Sequence, residues 1–195
     1  MLEKEKDTSD RILHAALQLM QAKGFKSVTI KDIAVASGVS EMTVFRHFET
    51  KRGVLEAAVN KYSYVPGFKK VFEQQVVYEL EQDLKLIATS FLDLMENNRS
   101  IYLIAIQERT TMPELINLIA ENTKQLKGLL TDYFLKMQDQ YKMAVTDASK
   151  QAMVFLTMYY GYFSSTALWD GRFSSDSKEE FIDSSIKTFC DGLIK

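Results

Sequence analysis

Little in this chain interrupts a helix. Its 195 residues include 2 prolines and 8 glycines, and runs of alternating β-branched residues are nearly absent, so an all-α protein is expected. The one cysteine, Cys190, excludes an intramolecular disulfide. Its place in an apolar C-terminal pattern marks it as a buried, reduced thiol. Histidine is almost as scarce. His14 and His47 both lie near the N-terminus, and neither follows a glutamate by three, so the Glu-x-x-His pairs of a di-iron bundle are missing. With a single cysteine a zinc site is disfavoured as well. No glycine-rich phosphate loop and no nucleophile elbow occurs. An enzyme would have to work through carboxylates or tyrosines alone, and no catalytic, metal or cofactor residue is assigned. No apolar run approaches 18 residues, so no membrane span is expected. The charged start, Met-Leu-Glu-Lys-Glu-Lys-Asp, is no secretory signal. A cytoplasmic location is expected.

What is present is a hydrophobic share of 46% and a net charge of -2. Residues 1–62 carry 10 Lys and Arg against 8 Asp and Glu, and the remainder 14 against 18. That asymmetry has the sign of a DNA-binding head on an acidic body.

The first helix is expected to open near Thr8-Ser9. Ile12, Leu13, Ala16, Leu17 and Met20 form its apolar stripe, Gly24 stops it and Phe25 folds back onto it. Thr29 caps the next helix, and Asp32 completes a capping box. Ile30, Ile33 and Ala34 face inward. Gly38 supplies the positive φ of a sharp turn, Val39 plugs the turn and Ser40 caps a third helix. There Val44 and Phe48 face the core, leaving Glu41, Thr43, Arg46 and His47 outside. Two short helices joined by a glycine turn are a helix-turn-helix, which places its second helix in the DNA major groove. Arg46 has the fork that matches guanine O6 and N7. Thr43 and His47 suit phosphate or thymine-methyl contacts, and Met42 either touches bases or stays half-buried. Thr50 caps a fourth helix whose first residue, Lys51, sits at a positive helix end as a phosphate anchor. Leu55, Ala58 and Val59 pack that helix back on the head.

These residues resemble the N-terminal domain of the tetracycline-repressor (TetR) family of bacterial regulators. The likeness covers about residues 8–60. It runs through Ile12-Leu13-x-Ala15-Ala16-x-x-Leu19, Lys23-Gly24-Phe25, Val28-Thr29-Ile30-x-x-Ile33-Ala34, Ala36-Ser37-Gly38-Val39-Ser40 and Thr43-Val44-Phe45-x-x-Phe48-x-x-Lys51. The resemblance implies a homodimer on a palindromic double-stranded operator, usually a repressor, and a divergent C-terminal domain that binds a small effector and releases DNA. Carried onto matching positions, Thr29, Ser40, Glu41, Thr43, Phe45, Arg46, His47 and Lys51 are the DNA-facing set, with Met42 beside them. Two positions depart from the family: glycine often stands where Met42 is, and tyrosine where Phe45 is. Phe45 lacks a hydroxyl and cannot donate to a phosphate.

The expected architecture is therefore an N-terminal three-helix helix-turn-helix head, residues 1–62 with the motif at about 29–48. A larger helical ligand-binding and dimerisation domain, residues 63–195, follows, and the chain holds about nine helices in all. Within 64–77, Pro66-Gly67 breaks the chain, and Phe68, Val71 and Phe72 either re-enter a helix or line a gate. Leu80, Leu84, Ile87, Ala88, Phe91, Leu94 and Met95 form the next stripe. Ser100 opens a helix through Ile101 and Ile104, and Pro113 starts a long one.

A helix from Thr146-Asp147 to about Leu168 has an apolar belt too wide for a helix facing water on one side. Within it Thr157, Gly161 and Ser165 make a ridge of small residues. Ser177 and Glu180 open the last helix, whose stripe includes Phe181, Ser185 and Phe189. These two helices are expected to pair with their symmetry mates as a four-helix dimer interface. Phe91, Met95, Tyr102, Phe134, Met153, Tyr159, Tyr160, Tyr162 and Trp169 are the candidate lining of a pocket for a small apolar or aromatic effector. Trp169 stands beside a break at Asp170-Gly171. For each of these side chains plain core packing is the competing assignment. A helical protein-interaction module and a transcriptional activator are the alternative functions.

Overall fold

The computed structural model describes residues 2–62, 65–169, 172–173 and 175–193, with the side chains of residues 2–6 left out. Tyr64 and the break at Asp170-Gly171 lie outside the described residues. Ten helices and no strand occupy the rest. In order they are α1 (Leu2–Lys23), α2 (Ile30–Ser37), α3 (Glu41–Phe48), α4 (Lys51–Lys61), α5 (Val65–Gln74), α6 (Leu80–Asn97), α7 (Arg99–Gln107), α8 (Pro113–Asp139), α9 (Ala148–Trp169) and α10 (Lys178–Asp191). Helix α1 begins at Leu2 rather than near Thr8-Ser9. Pro66 does not break the chain: it stands in the first turn of α5, where a missing N–H costs no helical bond.

Packing divides the chain into two units, residues 1–63 with 98–120, and residues 64–97 with 121–195. The first unit is built on α1. Ile12, Leu13, Ala16, Leu17 and Met20 are buried on one face, as their spacing demands, against Ile33, Ala34, Val44, Val54, Leu55, Ala58 and Val59. That core also takes in Ile101, Ile104, Ala105, Met112 and Leu115, from α7, the connection after it and the start of α8. Ser100 Oγ donates to Gln21 Oε1 at 2.5 Å, and Arg52 Nη2 reaches Glu114 Oε1 at 2.7 Å. Sequence alone ends the head at residue 62; the packing adds a second stretch of chain to it.

In the second unit α6 is central, with α5, α9 and α10 packed on it. Leu84, Ile87 and Ala88 are fully buried, and Phe91 meets Phe68 edge to face at 6.1 Å. Inside stands a carboxylate, Asp83, with no solvent exposure. Buried charge is costly unless partnered. Asp83 Oδ2 accepts from the Tyr133 hydroxyl at 2.9 Å and Oδ1 from the Val77 amide at 2.8 Å. Burial, with the adjacent carboxylate, holds the Tyr133 phenol in its neutral form. Tyr159 Oη and Ser185 Oγ, 2.8 Å apart, join α9 to α10, and burial pushes the Tyr159 phenol up to about 12. Cys190 is buried, and burial raises its thiol to about 11. Among the described residues no helix is long and apolar enough to cross a membrane.

Ile104 is fully buried in the head core although it lies more than forty residues past α4. Ile104→Ala is expected to destabilise the head by about 2–5 kcal/mol. Urea denaturation followed by amide exchange in α1 and α4 checks it. Unchanged exchange there would separate α7 from the head.

Candidate nucleic-acid interface

The motif is assembled by local hydrogen bonds. Thr29 Oγ1 accepts from the Asp32 amide at 3.1 Å, while Asp32 Oδ2 accepts from the Thr29 amide at 2.8 Å and the Thr29 hydroxyl at 2.6 Å. Those bonds hold the Asp32 carboxyl below the usual carboxylate range. Gly38 takes the left-handed conformation, φ 68° and ψ 36°, which frees its N–H to close α2. Ser40 Oγ then accepts from the Thr43 amide at 3.1 Å and lies 2.9 Å from the Thr43 hydroxyl.

Helix α3 divides into two faces. Val44 is fully buried and Phe48 packs on the head core. On the opposite stripe, at i, i+3 and i+4, stand Met42 at 74% exposure, Phe45 at 57% and Arg46, also exposed. Thr29, Ser40 and Glu41 are also exposed, and Thr43 is half-buried. His47 departs from its expected outward position. Three residues after Val44, it falls on the inner flank of the helix, and its Nε2 is buried with no hydrogen-bond partner among the described residues. Lys51 departs further. Its ammonium donates to the carbonyls of Phe25 at 2.6 Å and Val28 at 2.5 Å, and lies 3.3 Å from that of Lys26. Its neighbour Arg52 is paired with Glu56 at 2.8 Å and with Glu114. Lys31 and Val35, four apart on α2, are both exposed, Val35 at 73%. Neither belongs to the DNA-facing set expected from sequence; their signal is a pair lying off the inward stripe of Ile30, Ile33 and Ala34.

The joint between α3 and α4 is tight. Glu49 closes α3 at φ 59° and ψ -42°, its amide donating to Phe45 O at 2.7 Å. A side chain in that region is strained. Thr50 then caps α4 by accepting from the Gly53 amide at 2.9 Å. A Cβ at position 53 would overlap the carbonyl oxygen of Phe48. Glycine is thus what lets the first turn of α4 approach the end of α3.

The other candidate residues do not gather at one place. Tyr102 is on α7, in the head unit. Phe91, Met95, Phe134 and Tyr159 are buried core. Tyr162 stacks on Phe181 at 4.3 Å. Met153, Tyr160 and Trp169 are exposed. Trp169 lines an open depression of about 360 Å³ with Leu168, Arg172 and Phe173. Of the dimer candidates, Thr157 and Gly161 are exposed and Ser165 is half-buried. Ser185, Phe181 and Phe189 turn inward. Ser185 is buried against Tyr159, and Phe189 lies against Phe134 and Phe155. An apolar stripe alone does not tell a protomer's own core from a partner's surface.

Comparison with known proteins matches the chain in two regions. Residues 12–58 match the family described as bacterial regulatory proteins, tetR family, and residues 82–192 match the AefR-like transcriptional repressor C-terminal domain. The chain is 32% identical over 186 residues to the HTH-type transcriptional regulator YvkB of Bacillus subtilis, covering 95% of this chain and 97% of that one. The chain belongs to the tetR family of bacterial regulatory proteins. This tetR-family chain is a DNA-binding transcriptional regulator. It is also 21% identical to IcaR of Staphylococcus aureus, the negative transcriptional regulator of the biofilm operon icaADBC, over 89% of this chain and 92% of that one. FadR of Bacillus subtilis, solved in complex with stearoyl-CoA, shares the fold with a TM-score of 0.75 at 14% identity, over 93% of this chain and 97% of that one.

Gly53→Ala removes the close approach that seats α3. It is expected to lower operator affinity at least tenfold with α-helical content near wild type, measured by fluorescence anisotropy and circular dichroism. Full affinity would show that the joint yields without moving α3.

Proposed function

We propose that this regulator represses transcription by binding an inverted-repeat operator as a homodimer, and that a small apolar or aromatic effector releases it. The observation that carries the DNA-binding part is the split of α3. One face is sealed into the head core, while the opposite stripe presents Met42, Phe45 and Arg46 to solvent. Arg46 supplies bidentate donors for a guanine, and Met42 and Phe45 supply apolar contact for thymine methyls. Thr43 and the exposed caps Thr29 and Ser40 stand beside phosphates.

The dimer is supported by α9. Ala152, Phe155, Leu156, Tyr159 and Phe163 are buried in the protomer. On the other face Met153, Val154, Thr157, Tyr160, Gly161 and Leu168 are exposed. A helix apolar on both faces needs a second partner, and a second copy would supply a second α3 for the other half of an inverted repeat. The aromatic interior of the second unit favours an apolar effector, and the same fold in FadR accommodates an acyl-CoA.

Selection of bound duplexes from a random pool tests the reading. An inverted repeat whose affinity falls as salt rises is expected; no enriched sequence from dimeric, effector-free protein would sink it. Arg46→Ala should lose about 1–3 kcal/mol of specific binding and relax base choice at one position of each half-site. Leu168→Glu should leave helical content intact, shift the protein to monomer in sedimentation and weaken operator binding. A dimeric Leu168→Glu variant would move the interface elsewhere.

A further inference from the structure

The ammonium of Lys51 has three N–H donors, and three backbone carbonyls of its own head surround it. Phe25 O and Val28 O accept at 2.6 and 2.5 Å, and Lys26 O lies at 3.3 Å. The Phe25 ring lies beneath, 4.4 Å from Nζ to its centroid. These carbonyls belong to the connection that leaves α1 at Gly24, where the helix no longer supplies them with donors. Burial lowers the Lys51 pKa, and the carboxylate of Glu108, itself buried where α7 ends, works against that shift.

The position of this contact in the chain is what gives it consequence. Val28 immediately precedes the cap of α2, and Lys51 immediately follows the turn that ends α3. One side chain therefore ties the entrance of the helix-turn-helix to its exit, closing the segment 29–50 at its base. Any phosphate that took the ammonium would break this closure.

We propose that Lys51 is a positioning residue for operator recognition. Its ammonium closes the base of the motif on the carbonyls of Phe25, Lys26 and Val28 and thereby sets the pose of α3, and it does not neutralise a phosphate. The proposal rests on the operator-binding reading above.

The test is the salt dependence of binding by the full-length protein, with the selected operator and a random duplex as probes. For Lys51→Met, operator affinity is expected to fall by about tenfold, as when a charge-assisted anchor is lost. The slope of log K against log salt should stay unchanged, and binding to random duplex should hardly move, so the specificity ratio falls. A phosphate contact predicts the opposite: a slope shallower by about 0.9 per protomer, with both duplexes weakened together. That result overturns the proposal, as does a variant with a lower Tm whose folded fraction binds at wild-type affinity.

Lys51→Arg gives a second arm. It keeps the charge, but its planar fork cannot seat among carbonyls arranged around an ammonium. A loss like that of Lys51→Met supports positioning, and full retention overturns it. If both variants fail to fold, NMR of the lysine ammonium groups in the wild-type protein decides. A Lys51 signal protected from solvent exchange, free and on operator, supports the closure. A fast-exchanging signal, or one coupled to phosphorus on operator, overturns it. Wild-type protein that binds no duplex at all overturns the operator reading first, and this inference with it.

Discussion

The head of this regulator depends on apolar surface that arrives from a distant stretch of chain. Helix α1 presents a continuous face, and α2 to α4 cover only part of it. Ile101, Ile104, Ala105, Met112 and Leu115 complete the core. Burying the isoleucine, methionine and leucine side chains among them contributes about 1.5–3 kcal/mol each, a large share of a small domain's margin. The polar contacts at the same place are a second layer. Arg52 to Glu114 and Ser100 to Gln21 bind the same segments together, and Glu108 supplies negative charge near Lys51. The head and the second unit therefore do not divide at one point in the sequence. Residues 98–120 belong to the reading head by packing, although they follow α5 and α6 of the other unit.

What could be read from sequence follows the range of the forces involved. The caps at Thr29, Ser40, Thr50 and Ser177 are bonds across three residues, and each forms as expected. The buried stripe of α1 and the left-handed Gly38 are equally local. Where a side chain had to choose among distant partners, local pattern was insufficient. Lys51 looks like a phosphate anchor by its place at a helix start, and its actual partners lie 23 to 26 residues upstream. Ser185 reads as part of an outward stripe and instead meets Tyr159 inside the protomer. The aromatic residues of the body share a composition but not a location: Tyr102 sits with the head, Trp169 at an open depression, and Phe134 and Tyr159 in the interior.

In the second unit the polar interior has a mechanical role. Asp83, on the first turn of α6, holds the Val77 amide and the Tyr133 hydroxyl at once. It joins the α5–α6 connection to α8. Tyr78 follows at φ 59° with its ring 6.1 Å from that of Tyr133, and Lys142 donates to its carbonyl at 2.6 Å. A fully buried carboxylate of this kind fixes one arrangement of three segments, because any other leaves it unpartnered.

The two faces of α3 set how this protein is able to change. Packing rests on Val44 and Phe48, and the turn beyond rests on Gly53. The side chains of Met42, Phe45 and Arg46 are exposed on the opposite stripe. Replacement of exposed residues ordinarily alters stability by no more than about 0.5 kcal/mol. If these side chains read the operator as proposed, the vocabulary of recognition is nearly uncoupled from the grammar that folds the head. A lineage carrying this scaffold has room to acquire new target sites by point substitution, without passing through unstable intermediates.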